Sequence, residues 1–159
     1  MASWTPITDY QINTKLYYAS GLAENDWLRL KGYTPPDCVT FPIYMHNKAD
    51  NIFLYMNHQV NRNFTSFNYH ITKWVECHRM GLILKLGANF DYKFKRHKKF
   101  IEFFTDDVST YNFTIVTDSK LNYLRIPTNS CINVTSIYMH CDCRSINADV
   151  SVIKGCLNI

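Results

Sequence analysis

NIFLYMNHQVNRNFTSFNYHITKWVECHR, residues 51–79, is the stretch whose reading decides the fold. Taken in steps of two, Ile52, Leu54 and Met56 point one way, and Asn51, Phe53, Tyr55, Asn57 and Gln59 point the other. That is the pattern of a strand with one face on a core and one face carrying hydrogen-bonding groups. Val60-Asn61-Arg62-Asn63 reads as a polar turn. Beyond it the alternation resumes, with Phe67, Tyr69 and Ile71 set against Ser66, Asn68 and His70. Two adjacent antiparallel strands then place Tyr55, Asn57, Gln59 and Asn68 on one surface patch. Trp74, Glu76 and Arg79 follow directly after it.

An aromatic ring beside amides, a carboxylate and a guanidinium has the chemistry of a sugar-binding surface. Sugar C–H groups lie on a ring face, while hydroxyls exchange hydrogen bonds with fixed forks of donors and acceptors. The competing reading is a half-exposed hairpin with ordinary polar residues outside and Trp74 covering a core edge.

The rest of the chain favours β structure. Eleven Tyr and ten Phe stand against five Gly and five Pro, and 159 residues are enough for one domain with a full core. No apolar run is long enough to span a membrane, and MASWTPITDYQINTK lacks the basic and apolar regions of a signal peptide. The expectation is therefore a cytoplasmic protein, or one exported without a signal peptide; a leader already removed would make it secreted. Six cysteines (Cys38, Cys77, Cys131, Cys141, Cys143, Cys156) match no disulfide module, and reduced thiols are expected. Three N-glycosylation triplets, at Asn63, Asn112 and Asn133, barely exceed the roughly two that chance supplies at this composition.

In order, residues 1–15 form an arm anchored by Trp4 and Ile7, packed on a domain of residues 16–159. Leu16 to Ala23 turns at Gly21 into a strand where Trp27 and Arg29 alternate with Leu28 and Leu30, closed by Gly32. Thr34-Pro35-Pro36-Asp37 is a break, and Cys38 to His46 is a strand whose Pro42 requires a bulge or an edge. Asn47 to Asp50 turns into the central hairpin. Further strands follow through Phe90 and Tyr92, at Phe100–Phe104, at Tyr111–Val116 and in a return from Leu121 to Ile126. Ile132–His140 and Val150–Ile153 complete the set. Ten or eleven strands without a sizeable amphipathic helix make an all-β antiparallel sandwich of jelly-roll type. The net charge is +4, and Lys93 to Lys99 concentrates positive charge. That run suits a heparin-like polyanion, or else a solvated loop or edge strand; the second is preferred, and no nucleic-acid partner is expected.

This succession resembles the galectin carbohydrate-recognition domain from about Leu16 to Ile153. Ser20-Gly21-Leu22 with Leu28-Arg29-Leu30-Lys31-Gly32 is similar to the family's opening. Phe41-Pro42-Ile43-Tyr44 and Asn51 to Asn57 are similar to its central strands. The resemblance implies a glycan-binding lectin module, of β-galactoside or related specificity, and allows a homodimer. It implies ligand-binding roles for Tyr55, Asn57, Gln59, Asn68, Trp74, Glu76 and Arg79. Asn57, Asn68, Trp74 and Arg79 match the family's pattern; Tyr55 stands in place of a His, Gln59 of an Arg and Cys77 of a Glu, with Glu76 beside the last. A drift of the site into a protein-interaction surface is the alternative these three departures support.

Neither an enzyme nor a cofactor is expected. His46, His58, His70, His78, His97 and His140 are scattered, and no GxSxG, HExxH, GxGxxG or phosphate-loop pattern occurs. Cys141 and Cys143 would share a strand face, but two thiols do not make a zinc site, and no metal is expected.

Overall fold

The computed structural model describes residues 5–7, 16–47, 49, 51–70, 78–115, 121–127 and 130–140. Among them are strands β1 (Thr5–Ile7), β2 (Leu16–Leu22), β3 (Trp27–Thr34), β4 (Thr40–His46), β5 (Ile52–Gln59) and β6 (Phe64–His70). Then come β7 (His78–Gly81), β8 (Ala88–Arg96), β9 (Phe100–Thr105), β10 (Val108–Thr114), β11 (Leu121–Arg125) and β12 (Asn133–His140). Two six-stranded antiparallel sheets result, ordered β1-β12-β3-β8-β9-β10 and β2-β11-β4-β5-β6-β7. This is the all-β sandwich the sequence predicts, with twelve strands among the described residues. The expected strand at Val150–Ile153, the anchor Trp4 and Cys77, Cys141, Cys143 and Cys156 lie outside the described residues. Thr5–Ile7 runs beside Met139, Tyr138 and Ile137 of β12. Among the described residues no helix is long and apolar enough to cross a membrane.

Alternation builds the core. Leu28 and Leu30 of β3 are fully buried while Trp27 and Arg29 stay half-buried, and Tyr92 and Phe94 of β8 alternate with Asp91, Lys93 and Lys95. The opposite sheet answers with Phe41, Ile43 and Met45 from β4, Leu54 and Met56 from β5 and Phe67 from β6. Phe41 stacks on Tyr92 at 6.1 Å between ring centroids, and Phe67 meets Phe113 edge-on at 5.2 Å. Each such ring or branched chain withdrawn from water contributes on the order of 1.5–3 kcal/mol.

Several local expectations are corrected. Gly32 does not close β3, which continues to Thr34; a Cβ there would lie 2.3 Å from the Asn133 carbonyl oxygen and 2.6 Å from the Phe90 ring. Close approach of β12 and an aromatic ring, not a turn, is what requires glycine. Pro42 lies in an unbulged stretch of β4, opposite Asn57, but β11 reaches only as far as Tyr44. Pro42 is thus at a local edge, where Ser130 Oγ donates to its carbonyl at 2.9 Å. The segment Leu121 to Ile126 does not return beside β10; β11 crosses to the other sheet, between β2 and β4. Lys93 to Arg96 is neither a loop nor an edge strand. It belongs to β8, an interior strand, and Arg96 is 5% exposed with a guanidinium donor on the Leu22 carbonyl oxygen at 3.2 Å.

The thiols are not all reduced. Cys38 and Cys131 form a disulfide across 93 residues, with Cα atoms 5.2 Å apart. It ties the segment entering β4 to the segment entering β12, and Cys131 N–H also donates to Thr40 O at 3.0 Å. Sequence could not single out this pair, since six cysteines allow fifteen pairings.

One polar group sits at the centre of the sandwich. His58 of β5 is fully buried, its Nδ1 2.8 Å from Thr65 Oγ1 on β6 and its Nε2 2.9 Å from the Tyr92 hydroxyl on β8. Ile83 N–H donates to the same Thr65 oxygen at 3.2 Å. A neutral imidazole has one donor and one acceptor, and the two hydroxyls satisfy both. Burial lowers the His58 pKa to about 3 and pushes the Tyr92 hydroxyl up.

Two predictions follow from this interior. Because folded His58 binds its proton far less readily than an unfolded histidine at about pH 6.5, its contribution is complete above that pH. It is drained as pH falls toward 3, by up to on the order of 4 kcal/mol. Urea midpoints measured from about pH 7 down to about pH 4 should fall steeply in the parent chain and less steeply in His58→Gln; parallel slopes would refute the assignment. For the cross-link, Cys131→Ser should lower stability by about 2–5 kcal/mol, read by thermal or urea unfolding, and added reductant should reproduce the loss in the parent chain.

Candidate glycan-binding face

The outer face of the second sheet is built from three cross-strand rows. Arg125, Tyr44, Tyr55 and Asn68 are in register across β11, β4, β5 and β6. Pro42, Asn57, Ser66 and Arg79 form the next row, across β4 to β7, and Thr40, Gln59, Phe64 and Gly81 the third. Directly opposed residues of an antiparallel pair project to the same side, with Cβ atoms about 4.5–5.5 Å apart. Tyr55, Asn57, Gln59, Asn68 and Arg79 therefore share one face. Trp74 and Glu76 lie outside the described residues.

The start of β5 departs from the simple alternation. Tyr55 pairs with Asn68, yet Ile52 pairs with His70, so three steps on β5 match two on β6; the same extra residue appears against β4. This is a β-bulge. It turns Ile52 to the outer face, half-buried, and leaves Phe53 2% exposed beside the fully buried Leu54. The expectation that Ile52 faces the core and Phe53 joins Tyr55 outside is reversed for this reason. A one-residue insertion changes no residue type, so composition and periodicity do not reveal it.

Each polar side chain has a definite state. Asn57 is 8% exposed, and its Oδ1 accepts from Thr40 Oγ1 at 2.9 Å, which leaves its Nδ2 donors without a partner among the described residues. The half-buried Gln59 amide likewise has no described partner. Asn68 Oδ1 accepts from Tyr69 N–H at 2.8 Å. The exposed Arg79 guanidinium lies over the Phe64 ring, 4.5 Å from its centroid, and pairs with no carboxylate among the described residues. Among the described residues, the Phe64 ring is what orients this arginine.

The face continues past the residues the sequence reading selected. Tyr44 and Tyr55 rings are 5.0 Å apart, Arg125 lies 4.1 Å over the Tyr44 ring, and its Nε donates to His46 Nε2 at 3.4 Å. His46 in turn stacks on Tyr123 at 4.5 Å. The signal was present, since Tyr44 and His46 alternate with Ile43 and Met45, and Arg125 with Leu124 and Ile126. Without the pairing of β11 to β4 nothing joined them to Tyr55.

The opposite face of the sandwich carries the basic segment. Arg29 binds Asp91 with two hydrogen bonds, of 2.8 and 2.5 Å. Desolvation opposes the Asp91 charge, but those bonds outweigh it and hold the carboxyl below the usual range. Lys93 pairs with Asp107, and Lys95 lies over the Trp27 ring at 5.2 Å. Among the described residues no group of three or more His, Cys, Asp and Glu side chains is placed to hold a metal ion.

No protein-family model matches the sequence, and no curated protein matches it. Solved structures do match the fold. Galectin LEC-6 of Caenorhabditis elegans is similar with a TM-score of 0.76 at 16% identity, covering 86% of this chain and 96% of that one. Toad ovary galectin in complex with N-acetylgalactose has a TM-score of 0.69 at 19% identity, covering 80% and 97%. The same toad galectin with thio-digalactose also gives 0.69, at 18% identity, covering 82% and 100%. The fold is galectin-like. Its sequence is divergent, and the galectin-like sheet is what brings the two asparagines, the glutamine and the arginine to one side.

The Thr40–Asn57 bond generates a prediction. Thr40→Val removes the donor to a buried acceptor and should cost about 1–3 kcal/mol in urea unfolding. A change indistinguishable from that of an exposed threonine, such as Thr114→Val, would show that Asn57 is not held by this bond.

Proposed function

We propose that this chain is a non-catalytic lectin module that recognises a β-galactoside or a related glycan on the outer face of the second sheet. The observation that carries the reading is the set of unspent donors on that face. Asn57 Nδ2, the Gln59 amide and the Arg79 guanidinium have no hydrogen-bond partners among the described residues, yet share one side of the sheet with Tyr55 and Asn68. Such groups exchange hydrogen bonds with vicinal hydroxyls. In this reading Trp74 supplies the ring on which the apolar face of the sugar stacks, and Glu76 is a further ligand-binding carboxylate. Support also comes from the toad galectin complexes, whose fold this chain shares.

Specificity shifts with the departures. Tyr55 and Gln59 are neutral where the family has His and Arg. Charge-assisted hydrogen bonds are worth about 1.5–3 kcal/mol and neutral ones about half of that, so simple galactosides bind weakly. Tyr44 beside Tyr55 adds ring surface, which favours a longer glycan lying across β4 and β5. The route to the cell exterior, with or without a leader, belongs to the same proposal, because extracellular glycans are the natural targets of such a face.

A second reading, a protein-interaction surface that has lost sugar binding, is favoured by the 8% exposure of Asn57 and by Arg79 lying on Phe64. The polyanion reading weakens: Arg96 is buried, Lys93 is paired with Asp107, and Lys98 and Lys99 are the exposed cations left in that run.

A glycan array followed by calorimetry tests the proposal. Trp74→Ala and Arg79→Ala should each lower affinity for the array's best glycan by about tenfold or more, and Tyr55→His with Gln59→Arg should raise lactose affinity by about tenfold or more. An array without a hit from folded protein, together with no gain in lactose binding from the double change, would transfer support to the protein-interaction reading.

A further inference from the structure

All three N-glycosylation triplets place their asparagine at an open position. Asn63 follows the 3-10 turn Val60–Arg62 between β5 and β6, in the left-handed conformation (φ 58°, ψ 40°) that asparagine tolerates. Asn112 lies on β10, an edge strand of the first sheet, opposite Glu102. Asn133 begins β12, opposite the partly exposed Tyr33. Each of the three is exposed, and none has a side-chain partner among the described residues. The asparagines that are buried or half-buried, Asn47, Asn51, Asn57 and Asn68, carry no triplet.

A separate observation points the same way. The Cys38–Cys131 disulfide forms and persists in an oxidising compartment, and Cys131 lies two residues before Asn133. N-glycan transfer takes place in that same type of compartment. From these two features we infer that Asn63, Asn112 and Asn133 are N-glycan acceptors, and that the chain folds and oxidises in a secretory lumen. The inference does not depend on the lectin reading.

The three sites differ physically. Thr65, the hydroxyl residue of the Asn63 triplet, is fully buried against His58. Transfer to Asn63 therefore precedes closure of β5 on β6, and the finished fold still leaves the asparagine in solvent. Thr114 and Thr135 remain exposed, so the asparagine and the hydroxyl residue of the other two triplets both face solvent after folding. A glycan on Asn112 also hydrates the open hydrogen-bonding edge of β10, whose Val108 is 65% exposed, and so opposes edge-to-edge pairing between copies.

The test is secretion of the full chain from eukaryotic cells behind a cleavable leader. Intact mass would be measured before and after peptide N-glycosidase, with peptide mapping of each acceptor. The expected result is conversion of all three asparagines to aspartate by the glycosidase, and a linked peptide containing Cys38 and Cys131. Asn63→Asp (which keeps a left-handed-tolerant residue), Asn112→Gln and Asn133→Gln should each remove one glycan. An acceptor recovered as unmodified asparagine in folded, secreted chain would overturn the assignment at that position. Free thiols at Cys38 and Cys131 would overturn the compartment.

Discussion

The single extra residue near Phe53 is the constraint on which the outer face of the second sheet depends. Strand side chains alternate with a period of two, so a one-residue offset exchanges the two faces of everything beyond it. Upstream of the bulge, Ile52 faces out with His46 and His70; downstream, Leu54, Met56 and His58 face in, and Tyr55, Asn57 and Gln59 face out. Deleting the insertion would force β5 either to carry Ile52 inward with its neighbours out of step or to bring the amides into the core. Burying an amide without a partner costs about 1–3 kcal/mol in proteins, so the register that keeps Asn57 and Gln59 outside is strongly selected. The bulge is a local irregularity with a global consequence.

The inner side of the same strands reinforces that register. His58 lies between Asn57 and Gln59, and it points into the sandwich because they point out. Its two ring nitrogens meet Thr65 on β6 and Tyr92 on the opposite sheet, so one side chain locks β5 to a neighbour and to the facing layer. An apolar residue at 58 would pack but would not choose between registers. A histidine that must find two hydroxyls does choose, which is the sense in which a satisfied buried polar group adds specificity. The outer face is thus indexed from beneath by a residue that does not belong to it.

Much of the architecture was legible because alternation is strong where one face is buried. Leu28 and Leu30 against Trp27 and Arg29, or Tyr92 and Phe94 against Asp91 and Lys93, are unambiguous. The coincidence of Asn57 and Asn68 on one side also followed from counting. What escaped has a common cause: each feature is a relation between distant segments. Gly32 looks like a strand end until Asn133 and Phe90 are placed against it. Pro42 sits without a bulge only because β11 stops short of it, and the partner of Cys38 among five cysteines is a matter of three-dimensional proximity. Arg96 read as part of a basic run, yet the Leu22 carbonyl brings it into the protein. The outlying residues Tyr44, His46 and Arg125 escaped for the same reason, since β11 and β4 are joined by pairing and not by sequence.

The electrostatics of the face bear on what it recognises. In the family's pattern a carboxylate orients arginines, and the resulting charged fork distinguishes one hydroxyl stereochemistry from another. Here Arg79 rests on the Phe64 ring and Arg125 on the Tyr44 ring. A guanidinium held by a ring is fixed in plane and keeps the N–H donors that no other group takes, although Arg125 gives its Nε–H to His46. The donors that remain can bond hydroxyls, carboxylates or sulfates. Tyr55 and Gln59, neutral and able both to donate and to accept, impose no charge of their own between these cations. Under the proposed lectin reading, such a face discriminates less sharply by the orientation of a single hydroxyl and gains more from ring surface and from ligands long enough to reach from Arg79 on β7 toward Arg125 on β11. The arginine–aromatic pairs, more than the missing histidine, set the chemistry this divergent sheet presents.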